Sequence, residues 1–154
     1  EIHPMTSANP VSGGTLTPYL AFKDAGRAIA FYREAFGAKE KYRLADKSGK
    51  IGHAEIAIGD ALMMLADEWP DFGAISAQTL GGCPILLHLS VANVDAFVEH
   101  AVKAGATLLR PVKDEFYGDR AATIAEDRLD APKLWRARQH DAPGSLCHSR
   151  CGRP

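Results

Sequence analysis

His53, Glu55 and His88 are the residues whose types and spacing suggest chemistry. His53 and Glu55 stand two apart, and alternate side chains of an extended strand share a face, so both project the same way. His88 sits in another apolar run and points to the same side as Leu86. If the two faces converge, the trio is a two-histidine, one-carboxylate set of the kind that suits non-haem iron or zinc. Without a metal the same trio can serve as a general acid and base, because imidazole titrates near neutral pH and a partly buried glutamate can be raised toward it. The plainer expectation is that His53 and Glu55 pair with each other or with a neighbour such as Arg43, leaving His88 as a polar residue of a cavity wall.

A second group supplies surface. Tyr19, Met64, Trp69, Phe72, Phe116 and Tyr117, with His88, offer aromatic and flexible apolar contacts that suit a planar ligand. Trp69 and Phe72 serve equally as lid or interface packing. Arg120 offers a planar guanidinium fork for an anionic group on that ligand. Its alternative is a structural ion pair with a carboxylate such as Glu55, since adjacent Asp119 points away from it on an extended strand.

The elements that must position these groups follow from periodicity. Residues 16–23 read as a strand, and Asp24 stands where a helix N-cap belongs. Ala25, Ile29, Tyr32 and Phe36 then recur at helical spacing before Gly37. Residues 40–44, 51–58 and 61–66 read as three strands joined by hairpins at Asp46-Lys47-Ser48-Gly49 and Gly59-Asp60. Residues 67–82 lack a period and read as a long loop. Residues 84–91 are again a strand, Asn93 again a cap, and Val94, Phe97, Val98, Ala101 and Val102 again a helical stripe before Gly105. Gly37-Ala38 thus recurs as Gly105-Ala106, and with one residue of slip Tyr19 and Leu20 recur as His88 and Leu89. Two copies of strand, helix, strands predict two small α+β units joined in one layered structure, since each alone has too little core.

The 154 residues fit one ordinary domain, with 46% hydrophobic and 24% charged residues. A formal net charge of -1 gives no field to attract nucleic acid. No apolar run is long enough to span a membrane, so neither partner is expected and the cytosol is the expected compartment. Three cysteines, Cys83, Cys147 and Cys151, do not make a disulfide framework and read as free thiols. Residues 1–14 read as a vector scar ahead of Met5 followed by a mobile leader.

Helix residues Ala28-Ile29-Ala30-Phe31-Tyr32 through Phe36-Gly37-Ala38 resemble the first-helix signature of the vicinal oxygen chelate superfamily of glyoxalases, bleomycin-resistance proteins and extradiol dioxygenases. More narrowly, His53-Ala54-Glu55, Leu65-Ala66-Asp67-Glu68, Leu80-Gly81-Gly82, Leu87-His88-Leu89 and Phe116-Tyr117-Gly118-Asp119-Arg120 resemble the glyoxalase-like branch associated with phosphonate operons. The resemblance implies an α+β fold of two tandem βαβββ modules, a mixed sheet curled around a cavity and completed in a homodimer. Module one would cover 15–66, the loop 67–82 and module two 83–127.

Past Ile124 the family's closing turn and strand are hard to find, so residues 128–154 read as an atypical, partly disordered tail, whether divergent or the product of a late frame change. The family's metal positions fall at or next to Thr17 and Leu86, near Met64 and near Trp135, which present no two strong ligands. The expectation is therefore a metal-independent protein that binds or sequesters an aromatic or amphipathic small molecule, with no cofactor. The alternatives are a lyase, isomerase or dioxygenase holding zinc, nickel or iron through His53, Glu55 and His88, and an inactive member whose closing strand is lost.

Overall fold

Asp24 starts the first helix because its carboxylate accepts the Arg27 backbone N–H at 2.8 Å, one of the donors that a helix start leaves unpaired. Gly37 ends it with φ at 64°, a left-handed geometry that glycine adopts without strain. Between them α1 (Ala25–Phe36) buries Ala25, Ala28, Ile29, Phe31, Tyr32 and Ala35. A computed structural model describes residues 15–126 and 134–140 of the chain. The expected leader, the rest of the expected tail and the thiols of Cys147 and Cys151 lie outside the described residues.

Strands β1 (Tyr19–Phe22), β2 (Lys39–Ala45), β3 (Ile51–Ile58) and β4 (Ala61–Asp67) surround α1 in sequence. Their order in the first sheet is β1-β4-β3-β2, with β1 parallel to β4 and the other neighbours antiparallel. The loop after β4 carries a short 3-10 turn (Pro70–Phe72) and a single-turn helix, α2 (Ala77–Leu80). Then β5 (Leu86–Ser90), α3 (Val94–Lys103), β6 (Thr107–Asp114), β7 (Asp119–Ala125) and β8 (Leu134–His140) repeat the plan as a second sheet, β5-β8-β7-β6. This is the expected α+β fold of two four-stranded mixed sheets. Asn93 caps α3 as Asp24 caps α1, accepting the Ala96 N–H at 3.0 Å.

β8 corrects the sequence expectation. Residues 134–140 pair parallel to β5 and antiparallel to β7, so the second module has its closing strand and the inactive reading loses its basis. The period of two was present in the sequence but disguised. Trp135 and Ala137 are buried, whereas Arg136 and Arg138, which alternate with them, face the other way, so half of the strand reads as charge and one inward position is only a methyl.

The modules meet through their helices, which pack on each other. Phe36 of α1 lies 5.2 Å from Phe97 of α3 and 4.9 Å, edge-on, from the Trp135 indole. Trp135 also reaches Tyr32, at 5.8 Å between centroids. Burial there, reinforced by the neighbouring Glu126 carboxylate, pushes the Tyr32 phenol well above its ordinary pKa. Each sheet thus turns one face to the helices and leaves the other open. Among the described residues no helix is long and apolar enough to cross a membrane.

Candidate functional site

On the open face of the first sheet, strand register sets out a row. Tyr19 on β1 is beside Met64 on β4, Met64 is beside Glu55 on β3, and Glu55 is beside Tyr42 on β2. Residues in register share a face, so the four side chains form one band. His53 stands on this face too, two residues before Glu55. Tyr19 Oη lies 3.0 Å from His53 Nδ1, and His53 Nε2 lies 3.3 Å from Glu55 Oε1. The Tyr19 and Tyr42 rings flank the imidazole, with centroids at 5.5 and 6.1 Å. His53 and Glu55 keep 28% and 30% of their side-chain exposure, so the pair is shielded yet reachable. The expected His53–Glu55 pairing is therefore present, with Tyr19 added to it.

The second sheet carries the corresponding row His88, Arg136, Thr123 and Arg110. Arg136 donates to Glu115 at 2.7 Å and to the Tyr117 hydroxyl at 2.6 Å. Burial would raise the Glu115 pKa, but Arg136 and Lys113 hold it below the ordinary glutamate value. Further along β8, Arg138 reaches the Ser90 hydroxyl at 3.2 Å, and the imidazole of His140 lies 2.6 Å from Asp119. That His140 contact, more than any other, holds the Asp119 pKa down. A cavity of about 460 Å³ opens between the modules, bordered by Thr17, Pro18, Leu62, Met63, His88 and Trp135.

The predicted residues therefore divide. Tyr19, Met64, His53 and Glu55 share one face, while His88 belongs to the other sheet with Tyr117. The trio His53, Glu55 and His88 does not converge within one chain, and among the described residues no group of three His, Cys, Asp or Glu is arranged to hold a metal ion. The open-face residues at or beside the family's metal positions are Tyr19, Met64, Leu86, His88 and Arg136. A phenol, one imidazole, a thioether, an alkyl side chain and a guanidinium do not make the set of strong ligands that a divalent ion needs, and the guanidinium repels it. Trp135 is not on this face at all, being in the core.

Arg120 is a correction. On β7 it alternates with Asp119 and so faces the helices, where Asp95 takes both Nε and Nη2 at 2.8 Å and Asp114 takes Nη1 at 2.9 Å. Those carboxylates raise its pKa and occupy its fork, leaving it unsuited to a ligand, and its partners are not Glu55. Trp69 and Phe72 pack on each other at 6.3 Å in the inter-module loop, with the Lys50 ammonium 3.7 Å over the Trp69 ring. Phe116 is fully exposed at the β6–β7 tip beside Tyr117. Tyr42, Glu115, Arg136 and Arg138 were missed. For Tyr42 the signal was the period of two along β2, and for the arginines the alternation with Trp135 and Ala137.

Comparison with known proteins adds a family to this geometry. The model of the Glyoxalase/Bleomycin resistance protein/Dioxygenase superfamily matches residues 15–130. The uncharacterised protein Mb0911c of Mycobacterium bovis is 38% identical over 114 residues, covering 72% of this chain and 75% of its own length. Rv0887c of Mycobacterium tuberculosis is 38% identical over the same length, covering 67% of itself. Among solved structures, a glyoxalase-related enzyme from Fulvimarina pelagi superposes with a TM-score of 0.65 at 19% identity, covering 84% of this chain and 89% of its own. TioX from Micromonospora sp. ML1 gives 0.63 at 20% identity, over 83% and 97%. The fosfomycin resistance protein FosX from Mesorhizobium loti gives 0.59 at 14% identity, over 85% and 95%, and these three likenesses bear on the fold alone. With two βαβββ modules and a family match over most of its length, the chain belongs to the glyoxalase/bleomycin resistance protein/dioxygenase superfamily.

Proposed function

We propose that this protein binds an aromatic or amphipathic small molecule without a metal, as a homodimer in which the open face of module one in one copy meets that of module two in the other. The observation that carries this reading is the make-up of the two rows. Tyr19, Tyr42 and Met64 offer rings and a flexible thioether on one side, whereas the other carries the His88 imidazole, the Arg110 guanidinium and the Arg136–Glu115 ion pair. The faces are unlike, so a ligand between them finds an aromatic floor around the His53–Glu55 pair and a polar roof. Within the superfamily, the closer kinship is with the phosphonate-operon branch, on the motifs around His53, Leu87 and Phe116. Sequestration of the kind exemplified by resistance proteins is the role this arrangement suits, in the cytosol.

Two measurements test it. Protein purified without added metal should carry far less than one transition ion per chain, and about one tightly held ion would overturn metal independence in favour of a site that His88 of a second copy completes with His53 and Glu55. 8-Anilinonaphthalene-1-sulfonate, an aromatic anion, should bind saturably to a dimer, and Tyr42→Ala should weaken that binding about tenfold, consistent with the roughly 1–2 kcal/mol of a lost aromatic contact. A monomer that binds the probe unchanged in Tyr42→Ala defeats the proposal.

A further inference from the structure

We infer that Tyr19, His53 and Glu55 form a proton relay in which Tyr19 Oη acts as a general base toward a planar carbon acid bound on the open face of module one. The inference rests on that face being the ligand site and adds a reaction to binding.

The hydrogen-bond directions follow from chemistry. A carboxylate only accepts, so His53 Nε2 carries the proton that faces Glu55, at 3.3 Å. In the neutral imidazole His53 Nδ1 is then an acceptor, and the Tyr19 hydroxyl 3.0 Å away is its donor. The alternative acceptor for that hydroxyl, the Gly52 carbonyl, is at 3.5 Å and therefore the weaker partner. Tyr19 is half-exposed, so the phenol is the member of the chain that a ligand can touch. Tyr42 flanks the other side of the imidazole, with ring centroids 6.1 Å apart.

Module two shows that the scaffold does not require this arrangement. By register its counterparts of Tyr19 and Glu55 are His88 and Thr123, and the residue two before Thr123, where His53 would stand, is Ala121. The same strands form there without a relay. A tyrosine, a histidine and a glutamate hydrogen-bonded in series across β1 and β3 are thus a feature of module one alone among the described residues.

The step balances without a cofactor. As the ligand's C–H proton passes to Tyr19 Oη, the phenol's own proton passes to His53 Nδ1, and the Glu55 carboxylate holds the resulting imidazolium. The C–H electron pair remains on the ligand, where it enters a conjugated acceptor or expels a heteroatom. Afterwards His53 returns its proton to Tyr19, which releases one to water or to the product. Tyr19 is the catalytic residue, and His53 and Glu55 are positioning residues.

5-Nitrobenzisoxazole is the probe. Loss of its C3 proton turns the C–N bond into a nitrile, breaks the N–O bond and leaves the electron pair on a coloured phenolate. Wild-type protein should saturate with it and show a primary isotope effect with the C3-deuterated probe. Tyr19→Phe should lower kcat ~100-fold, within the usual range for a general base, and leave KM within about twofold. Glu55→Gln, which keeps the shape, should lower kcat about tenfold with KM again unchanged. Retention of full kcat in Tyr19→Phe, or an effect confined to KM, overturns the relay. Binding of anilinonaphthalene sulfonate without any turnover of the benzisoxazole overturns the relay and leaves the binding reading intact. Failure of both probes to bind overturns both.

Discussion

The two modules of this chain share a plan on the helix side and differ on the open side. Each helix is held at its start by two side chains, one at the cap and one from the module's last strand. In module one these are Asp24 and Asp67, whose carboxylate also reaches the Ile51 N–H at 2.6 Å. In module two they are Asn93 and Gln139. The open faces keep no such correspondence, since an aromatic band with a hydrogen-bonded histidine stands opposite a ladder of arginines. Residues that fill a shared core are bound by shape, whereas an open face can diverge once the strands are secure, and divergence of that kind is where a repeat acquires a function.

The sharpest test of the helix-side likeness is at β8. Trp135 and Met63 occupy corresponding inward positions, one residue before Arg136 and Met64 in the matched rows, and both are buried. Only Trp135 is edge-on to Tyr32 and Phe36 of the other module's helix. Trp135→Ala should therefore cost ~3–5 kcal/mol in chemical denaturation and Met63→Ala about 2–3 kcal/mol. A larger loss for Met63→Ala would mean that β8 is not the strand that ties the modules together.

Much of this plan was legible, because helix starts and glycine stops are local. Asp24, Gly37 and Asn93 announce themselves within a few residues, and His53 and Glu55 share a face by counting two. What failed needed information from outside the segment. The Tyr19–His53 contact depends on β1 returning parallel to β4 with Tyr19 beside Met64, a register that nothing near Tyr19 encodes. The Arg120 fork suits an anionic ligand by type, but adjacency shows only that it opposes Asp119, and the helix that owns its face brings Asp95 from another element. β8 escaped because Ala137 contributes little apolar signal and its neighbours are arginines.

The helix starts offer a smaller contrast. Asp67 accepts the Ala25 N–H at 2.7 Å and the Ile51 N–H at 2.6 Å, and its charge faces the positive end of α1. Gln139 accepts the Val94 N–H, at 3.1 Å, through a neutral amide. Asp67→Ala leaves two donors unpaired and should cost about 3 kcal/mol, whereas Gln139→Ala should cost about 1 kcal/mol. Urea titrations of both variants check the order, and equal losses would show that the two contacts are interchangeable after all.

The smallest effect separates the open faces by pH. Asp119 begins β7 where module one has Ile51 at the start of β3, so only in module two is the side chain at that position a titrating one. Its pKa is lowered by His140 first, with burial opposing and Arg138 assisting. A carboxylate that is more acidic folded than unfolded adds stability above its unfolded pKa of about 3.9, and that stability disappears as pH falls through the folded value. Wild-type protein should accordingly melt above Asp119→Asn at about pH 5, and the gap should close toward about pH 2, where both carry a neutral group. Ile51→Val in module one should give a difference in melting temperature that does not change across that range, because no proton is involved. If the Asp119→Asn gap is also independent of pH, the ladder of β8 is held by shape and not by charge, and the contrast between the two faces reduces to one of packing.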